Sequence, residues 1–195
     1  MKISFLELIR SEGVGRRFLF MNSFDAILTV SGVLIVMFLS NETDVRVVMI
    51  SCLSPAIALM ISGLWSAYII EKAERKRELS LLEKQMLKKL SGTIIEKRMK
   101  MITLTNALIN GLSPLIISFL IIAPFFFSAI DLIGMQLAFK TSFLIVGILL
   151  FLLGVYVAKI GNYNAILYGL IMLISGILLG ILILFANCLL EGFML

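Results

Sequence analysis

Long apolar stretches separated by short polar segments dominate this chain of 195 residues. A membrane hydrocarbon core of about 30 Å requires about 20 apolar residues in a helix that rises about 1.5 Å per residue. Five stretches meet this length, at residues 18–40, 47–70, 101–128, 137–159 and 164–190. The pattern predicts an all-α integral membrane protein with five transmembrane helices, which form a single membrane domain over residues 18–195.

The segments outside the predicted spans differ in length and charge. Residues 41–44, Asn-Glu-Thr-Asp, are few enough to make the first two spans an antiparallel hairpin. Residues 71–100 form a longer segment rich in helix formers, so we expect the second helix to extend beyond the membrane. Residues 1–17 mix apolar and charged positions and predict an interfacial segment at the membrane surface.

The positions of lysine and arginine predict how the chain is oriented. Fifteen of the 17 basic residues lie before the first span, between spans two and three, or between spans four and five. These segments share one side of the membrane when successive spans alternate in direction. The positive-inside rule places that side and the N-terminus in the cytoplasm and the C-terminus outside. The net charge of +5 therefore reports topology in a lipid bilayer, and we expect no nucleic-acid partner. Because no organelle signal is evident in the sequence, we expect a plasma-membrane location.

The first apolar stretch contains a carboxylate, Asp25. It lies about 10 Å inside the predicted cytoplasmic end of the span. An ionised carboxylate at membrane depth costs several kcal/mol unless it meets protein, water or a cation, so Asp25 is a functional-site hypothesis. At about 100° per residue it shares a helix face with Asn22, Thr29 and Gly32. We expect this face to point toward a partner helix or a water-filled path.

A polar stripe in the third span is a second candidate. Its members are Thr103, Asn106, Asn110 and Ser113. Side chains at this spacing supply oxygen ligands or line a path, but interhelical hydrogen bonding is their commoner use. Both interpretations stay open on sequence alone. In the last span, Gly176-x-x-x-Gly180 is typical of close helix packing.

A row of carboxylates, Glu71, Glu74 and Glu78, lies on one face of the predicted extension of the second span. Such a row collects cations, whereas ion pairing with lysine and arginine on a solvated helix is the commoner use. Ten basic residues against five acidic ones in residues 71–100 repel a divalent cation. The charge balance therefore favours the ion-paired interpretation.

The remaining chemistry favours metal binding without catalysis. The chain has no histidine, and its two cysteines, Cys52 and Cys188, lie in different apolar stretches. No disulfide framework, zinc site, haem site, catalytic motif or resident cofactor is therefore expected, and we predict that the chain is not an enzyme. Asp25 and the thioether of Met60 suit a divalent transition metal, and protons compete for the carboxylate. Taken by itself, a methionine in a span more often serves packing.

Three segments resemble the vacuolar iron transporter family of five-helix divalent-metal/proton exchangers. Residues 22–32, NSFDAILTVSG, are similar to the Asp-Gly-hydrophobic-Val-Thr motif of the family's first helix. Residues 58–68, ALMISGLWSAY, are similar to the Ser-Met-x-x-Gly-x-Tyr segment of its second helix. Residues 106–114, NALINGLSP, and the later Ala123-Pro124 are similar to its third helix.

The resemblance implies that Asp25 and Met60 line a metal path at a homodimer interface. The chain departs from the family pattern at Ala26, where the family has glycine, and at Cys52, where the better-known iron transporters have glutamate. Its segment between helices two and three is short and basic, so it looks like the family's short-loop branch, which lacks the cytoplasmic metal-binding domain.

Two functions of different classes are compatible with these observations. The first is a homodimeric transporter that exports Fe²⁺ or Mn²⁺ from the cytoplasm in exchange for protons. Its best candidate residues are Asp25 and Met60, and the weaker ones are Asn22, Asn106, Asn110, Glu71, Glu74 and Glu78. The alternative is a non-transporting membrane interaction protein, whose basic cytoplasmic helix binds anionic lipid or a soluble partner.

Overall fold

Five helices account for most of the computed structural model, which describes residues 13–193. They are α1 (Gly13–Leu39), α2 (Val45–Met86), α3 (Ile94–Ala129), α4 (Met135–Gly161) and α5 (Ala165–Phe193). Each is long and apolar enough to cross a membrane, which confirms the predicted all-α fold with five spans. Most of the predicted interfacial segment lies outside the described residues.

The second helix is much longer than a membrane requires. It contains 42 residues and is therefore about 63 Å long, roughly twice the thickness of a hydrocarbon core. The predicted extension of this helix past residue 70 is confirmed. It ends where Leu87 adopts a positive φ of 50°, and the carboxylate of Glu83 accepts a hydrogen bond from the backbone N–H of Leu90 at 2.7 Å. The chain reverses there and enters α3.

Short polar residues end and begin the helices at the other turns. Asn41 and Asn162 adopt left-handed backbone conformations just after α1 and α4, which asparagine tolerates well. Asp44 accepts a hydrogen bond from the N–H of Arg46 at 2.8 Å, and Asn164 accepts one from Ile166 at 3.0 Å. These side chains satisfy backbone donors that the first turns of α2 and α5 leave unpaired.

The described residues divide into two compact units. One contains α1 up to Asn22 together with Ala58–Pro114, and the other contains Ser23–Ile57 together with Leu115 onward. Helices α1, α2 and α3 therefore contribute to both units. The first unit contains the polar ends of α2 and α3, and the second contains all of α4 and α5.

The second unit has an apolar core between its helices. Ile27 and Leu34 from α1, Cys52 from α2 and Phe125 from α3 are fully buried there. Phe125 also packs edge-on against Phe139 of α4, with ring centroids 5.0 Å apart. Helix α5 is mostly exposed apart from its contacts with α4 and α1, so lipid is the natural environment of its remaining apolar surface.

Helices α4 and α5 come closest at Gly154. A methyl group on this glycine would meet the backbone oxygen of Tyr168 and would lie 2.6 Å from Cα of Gly169. Real Cβ atoms essentially never approach backbone so closely. By contrast, a methyl group on Gly147 of the same helix would lie 3.9 Å from Leu173, an ordinary contact.

This difference predicts opposite outcomes for one substitution at two positions of α4. Gly154→Ala is expected to push α5 away and lower the free energy of unfolding by about 1–3 kcal/mol, the usual penalty of overpacking. Gly147→Ala is the matched control and should be neutral or slightly stabilising, because alanine favours helix. Thermal unfolding of both variants in detergent measures the effect. Equal melting temperatures for the two variants would contradict the close approach.

Candidate functional site

Three helices of the first unit meet at a buried asparagine network. Asn22 of α1 donates a hydrogen bond from Nδ2 to the backbone oxygen of Asn110 at 2.9 Å and another to its side-chain oxygen. Asn110 of α3 donates in turn from Nδ2 to the backbone oxygen of Gly63 in α2 at 2.8 Å. Two side chains therefore join α1, α2 and α3, which is the interhelical use of such residues.

Glycines allow this close approach of α2 and α3. A methyl group on Gly63 would lie 2.9 Å from the backbone oxygen of Asn110, and one on Gly111 would lie 2.9 Å from the backbone oxygen of Met60. Any larger residue would separate the helices and break the bond from Asn110 to Gly63. Met60 is half-buried beside this contact.

Asn106 lies one turn from Asn110 on α3 and is 3% exposed. Its Nδ2 has no hydrogen-bond partner among residues 13–193. Its side-chain oxygen faces Gly15 of α1, where a methyl group would lie 3.0 Å away. All four members of the predicted stripe are buried inside the first unit: Thr103, Asn106, Asn110 and Ser113. In these side chains only the oxygens are suitable metal ligands.

The carboxylate row on α2 is partly neutralised by an arginine of the same helix. Glu71 is 2% exposed, and its Oε2 lies 3.4 Å from Nε of Arg75. Arg75 also reaches Oε2 of Glu78 at 3.0 Å, whereas Glu74 is exposed to solvent. Within the described part of the chain, no three His, Cys, Asp or Glu residues group together closely enough to hold a metal ion. Two of the three carboxylates in the row, Glu71 and Glu78, are therefore ion-paired with Arg75 on one helix face.

Removing Arg75 is expected to destabilise the protein, because a buried carboxylate without its partner is costly. Arg75→Ala should lower the free energy of unfolding by about 2–3 kcal/mol, whereas Arg77→Ala, an exposed arginine on the same helix, should change it by less than about 0.5 kcal/mol. Chemical unfolding monitored by circular dichroism measures both. If the two variants were equally stable, Arg75 would not be the stabilising partner of Glu71.

Another ion pair, between a carboxylate and a lysine, lies at the start of α3, ahead of its apolar stretch. Glu96 pairs with Nζ of Lys100 at 2.7 Å and accepts a hydrogen bond from the N–H of Gly92 at 2.6 Å. The pKa of Glu96 is lowered below its usual value, mainly by the hydrogen bond from Lys100. The hydrogen bond from the N–H of Gly92 and the positive charge of Lys100 lower it further. Glu96 therefore stays ionised at neutral pH at the first turn of the helix.

Asp25 belongs to the second unit and is exposed on α1. Its backbone oxygen accepts a hydrogen bond from Thr29 Oγ1 at 2.7 Å, and its neighbours Ala26 and Ile27 are fully buried. The carboxylate therefore points away from the core of its own unit. It makes no ion pair with any cation in residues 13–193. An ionised group in this position needs a cation, water or another chain to be stable in a membrane.

The other residues expected near this carboxylate lie in different parts of the structure. Met60 belongs to the first unit and Asp25 to the second, so a site that contains both stays a prediction. Cys52 is fully buried in the apolar core of the second unit. Its neighbours there are aliphatic and aromatic, which makes it a packing residue in this structure.

Sequence comparison identifies the family. A family model described as the VIT family matches residues 73–185, more than half of the chain. The chain belongs to the VIT family. It is also 32% identical over 182 residues to an uncharacterized protein of Methanocaldococcus jannaschii, an alignment that covers 92% of this chain and 91% of the relative. No solved structure matches the sequence.

Membership in the VIT family identifies the chain as a multi-pass membrane transporter of metal ions. The matched residues begin in the extension of α2 and reach into α5. Asp25 and Met60 precede the matched region, so their roles rest on chemistry and on motif resemblance.

Proposed function

We propose that this protein exports Fe²⁺ or Mn²⁺ from the cytoplasm in exchange for protons, through a site that contains Asp25 and Met60. The observation that carries the proposal is the exposed carboxylate of Asp25 on an apolar helix, with no cationic side chain of the described chain beside it. A carboxylate held at membrane depth favours a metal cation or a proton.

The ligand types support a transition metal as the substrate. The carboxylate of Asp25 supplies charge, and the thioether of Met60 is a soft donor that suits iron better than magnesium or calcium. The same carboxylate binds either a proton or a metal, and this competition couples the two flows. We therefore expect metal to leave the site as protons enter it from the opposite side.

A single chain supplies too little charge for a divalent ion. Asp25 is the one acidic residue in the apolar stretch of α1, and one carboxylate leaves an excess positive charge on the bound metal. A homodimer that brings two copies of Asp25 and Met60 together would provide two carboxylates and two thioethers. The exposure of Asp25 on its own chain is compatible with such an interface.

The weaker candidates have other uses in this proposal. Asn22 and Asn110 hold three helices together, and Arg75 neutralises the row that contains Glu71 and Glu78. Asn106 retains a buried side-chain oxygen and is the best of them for a transient contact with the ion.

Flux measurements in proteoliposomes test this function. Purified protein is reconstituted with a metal-sensitive dye inside the vesicles, and Fe²⁺, Mn²⁺, Mg²⁺ and Ca²⁺ are added outside with and without a pH gradient. We expect Fe²⁺ or Mn²⁺ to enter faster than in protein-free vesicles, and faster still when the inside is acidic. Folded protein that moves none of these metals would refute the proposal and favour the membrane interaction alternative.

A further inference from the structure

The polar ends of α2 and α3 enclose a basic cavity in the first unit. The cavity measures about 700 Å³, and its wall includes four cations, Lys72, Arg75, Lys76 and Lys100, against one carboxylate, Glu96. This composition gives the wall a net positive charge. The volume of the cavity also leaves room for a group considerably larger than a simple ion.

The cations of the wall are not equally engaged. Lys100 pairs with Glu96 at 2.7 Å, and Arg75 contacts two carboxylates of α2. Lys72 and Lys76 make no ion pair with any carboxylate in the part of the chain that the structure describes. Nζ of Lys72 lies 5.5 Å from the ring centroid of Tyr68. The positive charges of these two lysines can therefore pair with an anion bound in the cavity.

Apart from Thr103, whose hydroxyl donates to the backbone oxygen of Met99 at 3.1 Å, the rest of the cavity wall is mainly apolar. Tyr68 and Leu79 contribute from α2, and Met99 and Leu104 contribute from α3. Tyr68 and Leu104 are also exposed on the outside of the helices, so the apolar wall continues onto the surface that faces lipid. A small soluble anion would make no favourable contact with such an apolar wall, whereas the glycerol and acyl chains of a lipid would bury apolar surface against it.

The cavity lies where both helices change from apolar to charged sequence. In α2 the apolar residues end at Ile70 and the charges begin at Glu71. In α3 the charges end at Lys100 and the apolar stretch begins at Met101. This level corresponds to the headgroup region of a bilayer, where tyrosine is also enriched.

We propose that this cavity binds the phosphate headgroup of an anionic phospholipid, with Lys72 and Lys76 contacting the phosphate and Leu104 contacting the lipid chains. Lysines at a membrane surface attract acidic headgroups, and a pocket between helices makes that attraction specific in position. The site is separate from the proposed metal site and does not depend on transport.

Lipid retention measured by native mass spectrometry tests the site. The full chain is incubated in detergent with equal amounts of phosphatidylglycerol and phosphatidylcholine, and the lipid that remains bound is counted. Wild type is compared with K72Q/K76Q and with the control K88Q/K89Q, which removes the same charge from the exposed turn after α2. A third variant, Leu79→Trp, fills the cavity and keeps every charge.

Wild type and the control should retain phosphatidylglycerol preferentially. K72Q/K76Q should bind it at least about tenfold more weakly, since each lysine contributes about fivefold at a membrane surface. Leu79→Trp should lose the lipid as well. Equal weakening in both lysine pairs, or undiminished binding in Leu79→Trp, would overturn the pocket in favour of diffuse charge attraction. Millimolar inorganic phosphate that displaces phosphatidylglycerol completely would overturn the assignment to a lipid.

Discussion

Replacement of Asp25 by asparagine is expected to reduce metal flux at least about 100-fold. Asparagine keeps the size of the side chain and removes both the negative charge and the protonatable group. A site that loses its charged ligand loses more than the 10- to 100-fold that altered supporting residues cost a metal site. The variant should nevertheless fold normally, because Asp25 is exposed and an ionised carboxylate in a membrane is itself unfavourable.

The matched control for this prediction is Asp131→Asn. Asp131 lies in the turn between α3 and α4 with a positive φ of 56°, a conformation that asparagine adopts readily. It should therefore keep wild-type flux and wild-type stability. Flux at the wild-type rate in Asp25→Asn would remove Asp25 from the transport path, and a loss of folding in that variant would make it a structural residue instead.

Asn110→Leu should cause the largest loss of stability among the polar residues of the first unit. The substitution removes the bond to the backbone oxygen of Gly63 and the side-chain bond from Asn22, and it leaves buried polar atoms without partners. Each interhelical bond in a membrane protein contributes about 0.6 kcal/mol on average, and an unsatisfied buried group costs about 1–3 kcal/mol. We expect a decrease of about 2–4 kcal/mol in the free energy of unfolding.

Asn187→Leu provides the comparison for this effect. Asn187 of α5 also donates to a side chain, Glu191 at 2.9 Å, but the pair is exposed. Its loss should change the unfolding free energy by less than about 0.5 kcal/mol. Reversible unfolding in mixed detergent measures both variants. Comparable small effects at the two positions would show that the buried network contributes little.

The fold was largely predictable because membrane spans follow directly from apolar length. All five predicted spans are helices, and the second one continues beyond residue 70 as its helix-forming residues indicated. The exact end of α2 was less predictable. Leucine rarely adopts the left-handed conformation that Leu87 has, and contacts from Glu83 help to define the turn.

Details of helix packing depended on neighbours that a sequence pattern does not reveal. The Gly-x-x-x-Gly motif pointed to Gly176 and Gly180, yet the closest approach of α4 and α5 is at Gly154. Gly176 does pack closely, since a methyl group there would lie 2.7 Å from Leu150 of α4, whereas one on Gly180 would meet its nearest neighbour, Ile35, only at 3.9 Å. Small residues permit close packing at many positions, and the neighbouring helix determines which of them is used.

The candidate site was predictable only in part, because helical spacing shows which residues share a face but not which neighbours bury them. Helical spacing correctly grouped Asn106 and Asn110 on one buried stripe. It did not reveal that Glu71 is buried, because Glu71 begins a run of mostly charged residues, 71–78, which is typical of a solvated helix. The i to i+4 spacing of Glu71 and Arg75 was the available signal, and it agrees with the observed ion pair.

Simultaneous recording of metal and proton movement in one proteoliposome preparation tests whether Asp25 couples the two flows. Mn²⁺ is added outside vesicles that contain either a metal-sensitive or a pH-sensitive dye, with wild type and Asp25→Asn reconstituted side by side. We expect wild type to move protons in the direction opposite to Mn²⁺, and both movements to disappear in Asp25→Asn. Mn²⁺ influx of equal rate in the two proteins, with no accompanying proton movement, would contradict metal–proton exchange through Asp25.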